Sequence, residues 1–94
     1  SNLRARTRRK MDAQTTDIAG LVRSVVEPLV EYKDELQITS GFDSKGSVLV
    51  EISVNEADAG KVIGRQGRVI KAVRTLARAA GSRSNTHVEV ELID

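Results

Sequence analysis

Apolar and polar positions alternate along this chain with periods that change from segment to segment. From Asp17 to about Tyr32, Ile18, Leu21, Val22, Val25, Leu29 and Val30 recur at three- and four-residue spacings, which predicts one apolar stripe on a helix. Thr16 stands where an N-cap belongs, and Asp17 brings negative charge to the first turn. Pro28 cannot donate an amide hydrogen bond to the Ser24 carbonyl, so the helix is expected to kink there or end early. A short alternating piece, Glu35-Leu36-Gln37-Ile38-Thr39, precedes the turn-rich Gly41-Phe42-Asp43-Ser44-Lys45-Gly46. Val48, Val50, Ile52 and Val54 then alternate with Leu49, Glu51 and Ser53, the clearest strand in the chain. Val88, Val90 and Leu92, alternating with His87, Glu89 and Glu91, predict a further strand with one wet face.

Two helical pieces separate those last strands. Asn55 is a good N-cap for a helix reaching about Ile63, with Glu56 and Asp58 in its first turn. A second helix is expected from about Arg68 to Ala80, stopped by Gly81 as its C′ residue. Its apolar side would hold Val69, Ile70, Val73, Leu76, Ala77 and Ala80, and its other side Arg68, Lys71, Arg74, Thr75 and Arg78. The order α-β-β-α-α-β predicts an α+β domain over residues 15–94, with three helices on one face of a three-stranded sheet. Residues 1–14 read as a polar, flexible basic arm. Met11 is a candidate natural start, with Ser1 to Lys10 then foreign to the domain; otherwise the arm would add electrostatic contact to a polyanion.

Charge sharpens this picture more than composition does. The net charge of +2 hides an uneven distribution, because Arg4, Arg6, Arg8, Arg9 and Lys10 supply a third of the fifteen basic residues. The rest of the chain is mildly acidic, yet Lys61 to Arg83 holds seven basic residues and no acidic one. Such a concentrated stripe points to a polyanionic partner. With no cysteine, thiolate metal sites, disulfides and cysteine nucleophiles are excluded. Phe42 and Tyr32 are the only aromatics, which argues against a row of base-stacking rings. No apolar run is long enough to span a membrane, so the expectation is a soluble, cytoplasmic domain that makes no membrane contact.

The candidate chemistry lies in Gly64-Arg65-Gln66-Gly67, which interrupts the helical pattern. Glycines on both sides permit positive φ and close backbone approach, and the following helix N-terminus offers amide groups and partial positive charge. Lys61, Arg65 and Arg68 surround this loop with full charges, a composition suited to phosphate. A Walker loop, which needs four residues between its glycines, fails because only three lie between Gly60 and Gly64 and Arg65 follows. A dinucleotide fingerprint fails because Val62 stands where glycine is needed and a helix, not a strand, precedes the loop.

Val62-Ile63-Gly64-Arg65-Gln66-Gly67-Arg68-Val69-Ile70 resembles the VIGxxGxxI signature of KH domains, whose GXXG loop clamps about four single-stranded nucleotides. The element order is similar to the type II, prokaryotic KH arrangement over roughly residues 15–94. The Pro28-Leu29-Val30 step, the Gly60–Arg68 stretch and Ala72-Val73-Arg74-Thr75-Leu76 resemble small single-KH bacterial proteins of the KhpA type. The resemblance implies a non-catalytic, RNA-binding, chaperone-like protein acting as a homodimer or with a larger Jag-type KH partner, KhpB. It also implies a link to cell shape and peptidoglycan synthesis.

On this reading Gly64 and Gly67 are hinges and backbone amide donors, and Arg65 and Gln66 point outward to phosphate or sugar. Lys61, Arg68, Lys71 and Arg74 are the further phosphate contacts. Val62 and Val69 form an apolar floor for bases, while Ile63 and Ile70 belong to the core. Gly60 serves either close helix packing or close approach of RNA. His87 has no partner for chemistry, the carboxylates show no paired-acid spacing, and neither a catalytic residue nor a metal or cofactor site is expected. Phe42 is read as a loop anchor. The alternative is a protein-interaction subunit dimerising through the apolar stripe of the first helix near Leu29 and Val30, with RNA binding secondary.

Overall fold

The computed structural model describes residues 17–93; the basic arm, Met11 and the Thr16 cap lie outside the described residues. Helix α1 is described over 17–26, and its inward stripe is Ile18, Val22 and Val26, continued by Val30 after the helix ends; all are buried. This stripe is rotated from the expected one: Val26, unassigned in the sequence pattern, has no exposed surface, whereas Leu29 is 38 % exposed. Pro28 accounts for the early end. It sits in a 3-10 turn, Glu27–Leu29, near the N-terminal position where its missing N–H costs nothing. A second 3-10 turn, Lys33–Glu35, leads to the buried Leu36.

Strand β1 spans Gln37–Phe42, so it starts later and runs further than its alternation suggested. Phe42 is therefore the last strand residue, packed against the core, and not a loop anchor. The hairpin that follows is held by Asp43, whose Oδ1 accepts from the amides of Lys45 and Ser47 at 2.8 and 2.9 Å. Strand β2, Val48–Ser53, pairs antiparallel with β1 and parallel with β3, Val88–Ile93. Val48, Val50, Ile52, Val88 and Val90 face the helices, while Glu51, Glu89 and Glu91 lie on the open face.

Helix α2, Glu56–Ile63, and helix α3, Arg68–Ser82, complete the α-β-β-α-α-β order with strand order β1-β2-β3, which is the type II KH fold. Ile70, Val73, Ala77 and Gly81 form the buried stripe of α3, and Leu76, expected there, is 44 % exposed. Gly81 does not terminate the helix. Its Cα faces β3 so closely that a Cβ would fall on Val88 Cγ2 and within 2.6 Å of the Thr86 carbonyl oxygen.

Candidate nucleic-acid interface

The loop is presented by α2, and α2 is fixed at its start by two side chains. Asn55 Oδ1 accepts from the Ala57 amide at 2.8 Å, capping the helix, while its Nδ2 donates to Glu35 at 2.7 Å. Asp58, one turn on, is fully buried. Its carboxylate accepts from the amides of Glu31 (3.0 Å) and Tyr32 (2.9 Å), and from Lys61 Nζ at 3.3 Å. The Glu31 amide does most to hold this carboxyl below the usual carboxylate range; burial opposes it, and Tyr32 and Lys61 add to the lowering. Sequence reasoning treated Asp58 only as first-turn charge. The available signal was its position four residues before Val62, on the same helix face.

Of the residues around the loop, one pair changes roles. Val62 has no exposed surface, so its side chain packs in the core and cannot be the floor for a base; Ile63, assigned to the core, is 41 % exposed. A helix turns 100° per residue, and burial of Asp58 and Val62 on one stripe directs Ile63 outward. Val69 is half-buried and Ile70 buried, as the pattern required of Ile70. Gly60 is exposed, and a Cβ there would meet nothing within 4 Å, which removes close helix packing as its reason.

The backbone of Gly64–Gly67 is left-handed at three positions: Gly64 (φ 78°), Gln66 (φ 59°) and Gly67 (φ 72°). Gly64 also needs its missing side chain, because a Cβ would collide with Val69 Cγ2 and lie 2.9 Å from the Val69 nitrogen. The glycine amides are already committed. Gly64 N–H donates to the Gly60 carbonyl (2.8 Å) and Gly67 N–H to the Gly64 carbonyl (3.1 Å), while Arg68 N–H closes onto Arg65. The expected donor role of Gly64 and Gly67 is thus corrected: their amides close the turn, and those of Arg65 and Gln66 take no part in the hydrogen bonds that close it.

Charge around the loop is unequal. Arg65, Arg68 and Lys71 are exposed, and none is in an ion pair among the described residues; Arg68 donates to the Gln66 side-chain oxygen at 3.0 Å. Lys61 is half-exposed and shared between Asp58 (3.3 Å) and Glu31 (3.7 Å), which weakens it as a phosphate ligand. Arg74 departs furthest from expectation. Its Nε donates to the Val90 carbonyl at 3.2 Å, tying α3 to β3. His87 O accepts from Val48 N, so by alternation the carbonyls of Val88, Val90 and Leu92 point to the open edge of β3. Arg74 covers one of them. The basic flank of α3 therefore runs beside a strand edge, and the sheet face carrying Glu51, Glu89 and Glu91 repels phosphate from the other side.

A family model described as KhpA/KhpB, KH domain, matches residues 19–92. The chain belongs to the KhpA/KhpB KH-domain family. Membership makes it a non-catalytic module. The RNA-binding protein KhpA of Listeria monocytogenes is 39 % identical over 74 residues, covering 79 % of this chain and 96 % of that protein. KhpA of Clostridium acetobutylicum is 41 % identical over 73 residues (78 % and 96 %), and KhpA of Bacillus subtilis 38 % over 74 residues (79 % and 90 %). A crystal structure of Aquifex aeolicus Era bound to GDP and aluminium fluoride superposes with a TM-score of 0.57 at 17 % identity. That match covers 84 % of this chain and 31 % of the Era chain, and it speaks for the fold alone. No helix among the described residues is long and apolar enough to cross a membrane, and no cluster of three or more acidic or histidine side chains stands together among them as a metal site.

Proposed function

We propose that the chain is a cytoplasmic single-stranded RNA-binding protein whose KH unit, residues 15–94, grips the sugar-phosphate backbone at Gly64–Gly67. One observation carries the reading: the hydrogen bonds that close the turn use the amides of Gly64, Gly67 and Arg68 and not those of Arg65 and Gln66, and the neighbouring Arg65, Arg68 and Lys71 are exposed and form no ion pair among the described residues. Backbone amides and unpaired cations together favour phosphate. The curated relatives named RNA-binding protein KhpA select RNA among polyanions. Ile63 and Val69 supply apolar surface beside the loop, Lys61 assists from its ion pair, and Arg74 acts through the β3 edge. Three phosphate contacts imply a log–log salt slope of about −2 and binding on the order of micromolar or weaker. Fluorescence anisotropy with a labelled single-stranded RNA tests this. Replacing Arg65 and Gln66 by Asp should abolish binding in a protein with an unchanged circular dichroism spectrum, and retained affinity would refute the reading.

Weak single-site binding favours assembly, since linked sites gain avidity. We assign homodimerisation, or pairing with a KhpB-type partner, to the second flank of α3, where Val69, Ala72 and Leu76 align at three- and four-residue spacings. Most of the α1 stripe is committed elsewhere: Ile18, Val22 and Val30 are buried in the chain's own core, and Leu29 at its tip is left 38 % exposed. An RNA-chaperone role tied to cell-wall synthesis follows from the same family pairing. Sedimentation of Leu76→Glu would yield monomer if α3 is the interface, and an unchanged oligomeric state would overturn the assignment.

A further inference from the structure

At the far end of α3 from the glycine loop, the chain folds back over the helix and leaves a hollow of about 390 Å³. Arg78, Ser82, Asn85, Thr86, His87 and Val88 line it. The backbone around it is fixed. The Gly81 carbonyl accepts from the amides of Ser84 (3.0 Å) and Thr86 (2.9 Å), and Asn85 takes a left-handed φ of 55° to make the turn. Gly81, lacking a Cβ, lets Thr86 and Val88 lie close against α3.

Its chemistry matches one nucleotide. Arg78 forms no ion pair among the described residues, and no carboxylate lines the hollow. The Ser82 hydroxyl and the Asn85 side-chain amide have no partner among the described residues, and Val88 gives one apolar wall. His87 also lines it, and its ring Nε2 lies 3.4 Å from Glu89, which is not among the lining residues. Lys71, Arg74, Arg78 and Ser82 follow one another at three- and four-residue steps, so they share a flank of α3. That flank leads from the glycine loop to the hollow over a helix length of about 20 Å.

We propose that this hollow is a second nucleotide subsite on the same RNA strand, with Arg78 taking a phosphate and Asn85 and Ser82 the polar atoms of base or ribose. The proposal rests on the RNA-binding reading above and lengthens its footprint beyond the nucleotides clamped at the loop. A strand long enough to reach both ends of α3 binds more tightly than one that fills the loop only.

The test is a titration of the full chain with oligouridines of about four and about eight nucleotides. The wild-type protein should bind the longer strand roughly tenfold more tightly, the worth of one charge-assisted contact. In an Arg78→Ala/Asn85→Ala variant that gain should vanish while affinity for the short strand is kept. Equal affinity for both lengths in the wild type overturns the subsite and leaves the loop reading intact. An equal loss at both lengths in the variant also overturns it, since Arg78 would then act as general charge. Absence of binding at either length in the wild type overturns the RNA reading and the subsite with it. Uridine monophosphate alone should bind at least an order of magnitude more weakly than the longer strand; equal binding would make the hollow a free-nucleotide site and contradict the proposal.

Discussion

Asp58 Oδ2 accepts the backbone amide of Tyr32 at 2.9 Å, across 26 residues of sequence. With the Glu31 amide on Oδ1, this buried carboxylate holds the segment after α1 against the first turn of α2. The same carboxylate holds Lys61, a turn before the glycine loop. Folding and presentation of the loop therefore share one side chain.

Replacing Asp58 with Asn should lower Tm by on the order of 10 °C, because an amide offers one acceptor where the carboxylate offers two and carries no charge. The pH dependence has a definite sign. The folded carboxyl titrates below its unfolded value of about 4, so its contribution is complete above that value and is lost as pH falls through the lower folded one. Thermal melts from neutral to acid pH should show that loss in the wild type and a smaller acid-side slope in Asp58→Asn. Parallel slopes would contradict it.

The two loop glycines should differ when each is replaced by Ala. At Gly64 both the backbone region and the collision with Val69 oppose a side chain, so about 3 kcal/mol should be lost. At Gly67 nothing closer than 4.0 Å meets a Cβ, and only the left-handed φ costs, about 1 kcal/mol. Urea unfolding of the two variants checks the order.

Gly81→Ala should cost about 2 to 3 kcal/mol through overpacking against Val88 and Thr86. Had Gly81 been a left-handed C′ residue, the cost would be nearer 1 kcal/mol. Chemical denaturation separates the two values.

Lys71→Gln should weaken RNA binding and make the salt slope shallower by about 0.7, one single-strand phosphate contact. Lys61→Gln should change the slope by less, since Lys61 is already paired with Asp58 and Glu31. Anisotropy titrations over a salt series compare them.

The fold was legible wherever a single periodicity governed a segment. Val48, Val50 and Ile52 alternate, and all are buried; Ile70, Val73 and Ala77 step by three and four, and all are buried. Legibility failed where one residue had two plausible faces. Val62 and Ile63 are adjacent aliphatics, and only the burial of Asp58 decides which of them turns inward. A buried carboxylate is invisible to a hydrophobic pattern, so that pattern alone puts the pair the wrong way round. Arg74 was misread for a related reason: a charge on a helix flank looks solvated until a strand edge with a free carbonyl stands beside it. The glycine loop itself was located by its spacing, but spacing says nothing of which amides remain free after the turn closes.

In the proposed complex, phosphate meets the protein at the Arg65 and Gln66 amides. Nitrogen-15 correlation spectra recorded while single-stranded RNA is added test it most directly. The largest shifts should fall at Arg65, Gln66, Arg68 and Lys71, with the open sheet face at Glu51, Glu89 and Glu91 unmoved. Shifts centred on that sheet face, or none at Arg65 and Gln66 under saturating RNA, would contradict it.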